Sequence, residues 1–138
     1  MRFIKLISIL FSIGFSLFAQ DGRLSIVDAN SPIKIPRRDV EWLEFKIVNG
    51  SDFTLDTLRV EVGYEQGVRP LESVRWKGRA SFSHAKGMIK NRGKRLLIFD
   101  LSNIGPRETI DMWAGFVGEK NGEYDFSINL YLLDESGN

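Results

Sequence analysis

The 138-residue chain contains no cysteine. That excludes disulfide staples, thiolate metal sites and cysteine nucleophiles. It holds a single histidine, His84, so metal sites built on histidine clusters are excluded as well. A Ser-His-Asp triad would need His84 as its base. Ser81 and Ser83 lie too close to it in sequence to point to one, and no G-x-S-x-G elbow is present. EF-hand, P-loop and G-x-G-x-x-G patterns are also missing. The chain therefore reads as non-enzymatic, with no cofactor and no metal. Apolar residues make up 43% and charged residues 27%, a balance that excludes a disordered chain and a polytopic membrane protein.

The first nineteen residues read as an address. Arg2 and Lys5 precede an uncharged run from Leu6 to Phe18, and the small residue Ala19 follows. This is the order of a secretory signal peptide, with cleavage expected after Ala19. The run is shorter than the roughly 18–20 residues that span a bilayer, and no transmembrane segment is expected in the mature chain. Residues 20–133 are expected to form one domain and residues 134–138 a short tail. An exported, periplasmic, cell-surface or secreted location follows. The absence of disulfides in an exported chain favours a bacterial envelope.

The mature region reads as strands. Leu43, Phe45 and Ile47 alternate with Trp42, Glu44 and Lys46. Leu58, Val60, Val62 and Tyr64 alternate with Arg59, Glu61 and Gly63. Ile110, Met112, Ala114 and Phe116 share one phase, as do Tyr124, Phe126, Ile128, Leu130 and Leu132. Period two at these lengths marks half-buried strands. Leu96–Leu101 is almost wholly apolar and reads as a central strand. Leu24–Val27, Ile33–Ile35, Ser73–Trp76 and Ala80–Ser83 are shorter candidates. The Phe residues of the mature chain are expected in the core. Gly118–Gly122 reads as a hairpin loop joining the last two strong strands. Asn49-Gly50-Ser51 matches an N-glycosylation acceptor but reads better as a turn. Seven to nine short strands predict an all-β, antiparallel two-sheet Ig-like β-sandwich, with a small closed barrel as the competing architecture.

Two turns carry a resemblance. Val48-Asn49-Gly50-Ser51-Asp52 follows one strand, and Leu101-Ser102-Asn103-Ile104-Gly105-Pro106-Arg107-Glu108-Thr109 precedes a later one. Over roughly residues 40–132 this order resembles the Ig-like, adhesion-associated β-sandwich modules of bacterial envelope proteins, of the DUF11 and CARDB type. Arg107 stands where that pattern usually carries Gly. The resemblance implies a non-catalytic structural or adhesive module and transfers no active-site residues.

Charge is strongly segregated. Ser73–Phe99 contains no acidic residue but holds Arg75, Lys77, Arg79, Lys86, Lys90, Arg92, Lys94 and Arg95. Such a segment sets up a local field that attracts anions although the whole chain is near neutral. Trp42, Trp113 and Tyr131 fall on the polar phase of their strands and form a candidate aromatic platform, with Trp76 in an uncertain phase. The expected function is an interaction or structural module that binds a protein partner, or itself, through the basic segment and the sheet aromatics. Acidic envelope glycans are a further counterpart, and nucleic acid does not suit the compartment. The alternative is a carbohydrate-binding module using the aromatic platform. A more remote one is a two-carboxylate glycoside hydrolase, with Glu41 and Glu44, or Asp111 and Asp125, as the acids.

Overall fold

Alternating apolar and polar side chains dictate strands, and the computed structural model holds strands and no helix among the described residues. These are residues 4–9, 24–78, 81–83, 88–91 and 94–133. No helix among them is long and apolar enough to cross a membrane. In chain order the strands are β1 (Ile4–Ile9), β2 (Leu24–Val27), β3 (Ile33–Ile35), β4 (Val40–Asn49), β5 (Leu55–Gly63) and β6 (Val68–Lys77). They continue as β7 (Ser81–Ser83), β8 (Met88–Asn91), β9 (Lys94–Ile104), β10 (Thr109–Gly118), β11 (Gly122–Tyr124) and β12 (Ser127–Leu133).

These strands form an antiparallel two-sheet β-sandwich. One sheet has the order β1-β12-β5-β9-β7, with β8 also paired to β9. The other has the order β2-β4-β10-β6, and β11 pairs with β3 in a separate ribbon. Of all these pairings, only β8 with β9 joins strands that are neighbours in sequence. From β4 to β7, successive strands alternate between the two layers.

The period-two residues meet between the layers. Leu43, Phe45, Ile47, Ile110, Met112 and Phe116 come from the four-stranded sheet, and each is at most 2% exposed. Leu58, Val60, Val62, Leu97, Phe99, Leu101, Ile128 and Leu130 face them from the larger sheet. Burial of this set supplies the main driving force for folding. β9 runs between β5 and the β7/β8 edge, and Leu97, Ile98 and Phe99 are all buried, as expected of a central strand. Tyr64 and Phe126 flank the Phe116 ring, with centroids 5.6 and 4.6 Å away.

Ile4–Ile9, within the segment that reads as a leader, forms β1 beside β12. Two expectations change. Gly118–Gly122 does not close a hairpin: β10 pairs with β4 and β6, and β11 pairs with β3. Its backbone is satisfied differently, because the N–H groups of Glu119 and Lys120 both donate to the carbonyl of Gly67, and the Tyr124 hydroxyl donates to the carbonyl of Lys120 at 2.6 Å. Gly67 has φ +110 and lies under the Tyr124 ring, where a Cβ would stand 2.7 Å from the hydroxyl. Phe53 is 68% exposed rather than core. It follows the Asn49–Asp52 turn, and its carbonyl accepts from Asn49 Nδ2 at 2.8 Å, so its backbone does the structural work while the ring faces solvent.

The apolar phase from Tyr124 to Leu130 holds, although the strand is interrupted after Tyr124. At the break the Asp125 N–H donates to Glu65 at 2.6 Å and the Phe126 N–H donates to Ser31 Oγ at 3.0 Å. Side chains thus replace the missing ladder bonds.

Asn49 is fully buried. Its Nδ2 donates to the carbonyls of Phe53, Ile104 and Gly105, and its Oδ1 accepts from the Ser51 backbone and hydroxyl. The turn reading holds, because a glycan on this nitrogen would require the turn to open. His84 and residues 134–138 lie outside the described residues.

Candidate binding surface

The outer face of the four-stranded sheet gathers the chemistry. Strand register sets it out in rows. Trp113 on β10 stands opposite Glu44 on β4 and Arg75 on β6. Asp111 on β10 stands opposite Lys46 on one side and Lys77 on the other. Trp42 stands opposite Gly115. The polar phase of three strands therefore brings together residues up to 71 positions apart in the sequence.

Contacts fix the aromatic side chains. Trp113 Nε1 donates to Glu44 Oε1 at 2.9 Å. The Arg75 guanidinium lies over the Trp42 ring, 4.8 Å from its centroid, within the range of a cation–π contact. The six-membered ring of Trp42 covers Gly115: a Cβ there would lie 3.1 Å from two of its ring carbons and 2.6 Å from Leu71 Cδ1. Gly115 thus lets an indole lie across the neighbouring strand. Lys46 Nζ lies 3.9 Å from both Asp28 and Asp111. Around this arrangement is an open depression of about 740 Å³, lined by Trp42, Glu44, Val74, Arg75, Trp76, Lys77 and Trp113.

Trp76 reaches the depression from the other phase of β6. It stands opposite the buried Met112 and shares the core-facing phase with Val74. At the end of an edge strand it is nonetheless 40% exposed. All three tryptophans of the chain thus border one depression, Trp42 and Trp113 from the outer face and Trp76 from the edge.

Tyr131 does not join them. It lies on β12, in the other sheet, opposite Arg59 on β5, and so belongs to the outer face on the far side of the sandwich. Burial pushes its phenol above the ordinary tyrosine value, and the neighbouring Glu61 carboxylate, which accepts its hydrogen bond, pushes it further. Beside it Arg59 makes a bidentate pair with Asp100, at 2.9 and 3.1 Å. That hydrogen bond is the main cause holding the Arg59 guanidinium above its usual value.

The basic segment is divided in the same way. Arg75 and Lys77 belong to β6 on the tryptophan face. Lys90 is on β8, and Lys94 and Arg95 are on β9, all in the other sheet. Arg79, Lys86 and Arg92 lie outside the described residues. Of the carboxylate pairs, Asp111 sits mid-sheet between Lys46 and Lys77, whereas Asp125 is on the connection between β11 and β12. No cluster of three or more His, Asp or Glu side chains suited to a metal occurs among the described residues.

No family model matches this chain, and no curated protein does. Among solved structures, the chain is similar to one described as "the unique CBM3- of Hungateiclostridium clariflavum". The TM-score is 0.38 at 16% identity, and the overlap covers 99% of this chain and 94% of that one.

Proposed function

We propose that the outer face of the four-stranded sheet is a carbohydrate-binding surface. The observation that supports it is the presence of both Trp42 and Trp113 on that face, beside an open depression whose polar groups are Glu44, Arg75 and Lys77. Flat indole faces suit the C–H faces of sugar rings, while a few placed polar groups fix orientation through the hydroxyls. Arg75 presents a fork of donors and Glu44 an acceptor. The two tethered tryptophans lose little side-chain freedom on binding, which favours affinity. Arg75 and Lys77 at the rim favour uronate-bearing chains over neutral ones.

Tryptophan fluorescence titrated with neutral and uronate-bearing polysaccharides tests this. Saturable quenching is expected, with loss in Trp42→Ala and Trp113→Ala. A spectrum that stays unchanged across the panel would exclude the reading.

A second reading gives the same face a protein partner. Arg75 beside Trp42 is the residue pairing that often anchors protein interfaces. Binding would then weaken steeply as salt rises, and Arg75→Glu with Lys77→Glu would abolish it. Affinity for neutral sugars, held by stacking, would change little with salt, whereas uronate-bearing chains share the salt dependence and are told apart from a protein partner by the quenching titration.

A further inference from the structure

The edges of the two sheets are not alike. In the four-stranded sheet, β2 is only four residues long. The opposite edge, β6, carries Pro70, Arg69, Arg75 and Lys77, and its register shifts opposite Ala114–Phe116. Shortness, proline, charge and irregularity are the features that stop an edge from recruiting another chain. β12 has none of them. Its seven residues, Ser127 to Leu133, include no charge, no proline and no glycine, and it pairs with β5 from Ser127 to Leu132 without a shift.

What covers the free side of β12 is β1, in unbroken antiparallel register from Ile4 opposite Leu133 to Ile9 opposite Ile128. That strand lies wholly within the segment that reads as a removable leader. We propose that export removes β1 and leaves β12 as a strand-acceptor edge, filled by an extended, predominantly apolar segment of a partner polypeptide running antiparallel to Ser127–Leu133. Main-chain hydrogen bonds supply the affinity in such an addition, and alternate side chains supply the selectivity. The strand seated there states the chemistry accepted: Ile, Lys, Leu, Ile, Ser, Ile, with one charge in six. This edge belongs to the sheet opposite the tryptophan face, so its fate and that of the carbohydrate reading are separable.

The test uses the full chain, exported with its own leader from a secreting bacterial host. Mass spectrometry reads the N-terminus of the product, and deuterium exchange follows residues 127–133. The probe is a peptide of the Ile4–Ile9 sequence with a polar tail, and the control is the same peptide with Ile7→Pro. The proposal expects an N-terminus at Gln20. It expects fast exchange in 127–133 that the probe slows by ~tenfold or more and the control does not. A retained leader overturns it, as does exchange that the probe leaves unchanged. Exchange already slow in a product that sediments as a dimer also overturns it, because a second copy then holds the edge. Should the mature chain be unfolded alone, recovery of β-sheet circular dichroism with the probe but not the control supports the proposal, and no recovery overturns it.

Discussion

Asn49 Nδ2 donates to the carbonyl of Gly105 at 2.8 Å, across 56 positions of the chain. The bond joins the two turns whose sequences carried the resemblance to surface modules. Two further links support it: Asn49 N–H donates to Glu108, and Arg107 N–H donates to Ser51. One buried amide thus aligns the end of β4, the end of β9 and the start of β10. Its replacement by alanine removes the bonds to three carbonyls and to Ser51 at once, although the carbonyls of Gly105 and Phe53 keep the Glu108 N–H and the Ser51 hydroxyl as donors. Asn49→Ala is expected to lower stability by about 2–4 kcal/mol, measured by urea unfolding. A change below about 0.5 kcal/mol would show that the carbonyls find other partners.

Arg107 has φ +60, a conformation that costs non-glycine residues roughly 1 kcal/mol. Its side chain pairs with Asp52 at 2.8 Å, but both groups are largely exposed, so the pair contributes at most about 1 kcal/mol. The two effects nearly cancel. Arg107→Gly should shift stability by less than about 1 kcal/mol, whereas Arg107→Val should destabilise by about 1–2 kcal/mol, because a β-branched residue resists positive φ. Thermal unfolding of the two variants compares them directly.

Gly115 sets the position of Trp42. A methyl group there displaces the indole and Leu71. Gly115→Ala is expected to cost about 1–2 kcal/mol, to shift tryptophan emission, and to weaken saccharide binding while the β-sheet dichroism persists. Unaltered emission would mean that the ring does not cover this position in solution.

Alkaline pH should weaken the fold through two phenols. Burial raises Tyr64 and Tyr131 above the ordinary value of about 10. For a group whose folded pKa is raised, the stabilising contribution is full below the unfolded pKa. It is lost as pH rises through the folded one. Stability should therefore fall above about pH 10, and phenolate absorbance of the folded protein should develop later than in urea. Tyr131→Phe should flatten part of that fall. Identical titrations in the folded and unfolded states would remove the argument.

The faces of the strands were legible in the sequence, but their partners were not. Leu43, Phe45 and Ile47, or Leu58, Val60 and Val62, announce a buried side through period two, and all six are buried. Period two says nothing about which sheet a strand enters, so Tyr131 could be grouped with Trp42 and Trp113 although it lies in the other layer. The basic segment looks continuous for the same reason, yet β6 and β8 belong to different sheets. Trp76 was ambiguous because edge position, not phase, exposes it. Gly118–Gly122 has hairpin chemistry, but its flanking strands find other neighbours across the chain.

That wiring has a kinetic consequence. β2 can pair with β4 early, but β4 and β6 must wait for β10, and β5 for β9 and β12, so neither layer is complete until most of the polypeptide exists. Chains dominated by such distant pairings settle on the millisecond-to-second scale, roughly, rather than in microseconds. During that delay the apolar faces of the unpaired strands stay open to other chains, so crowding favours aggregation over folding.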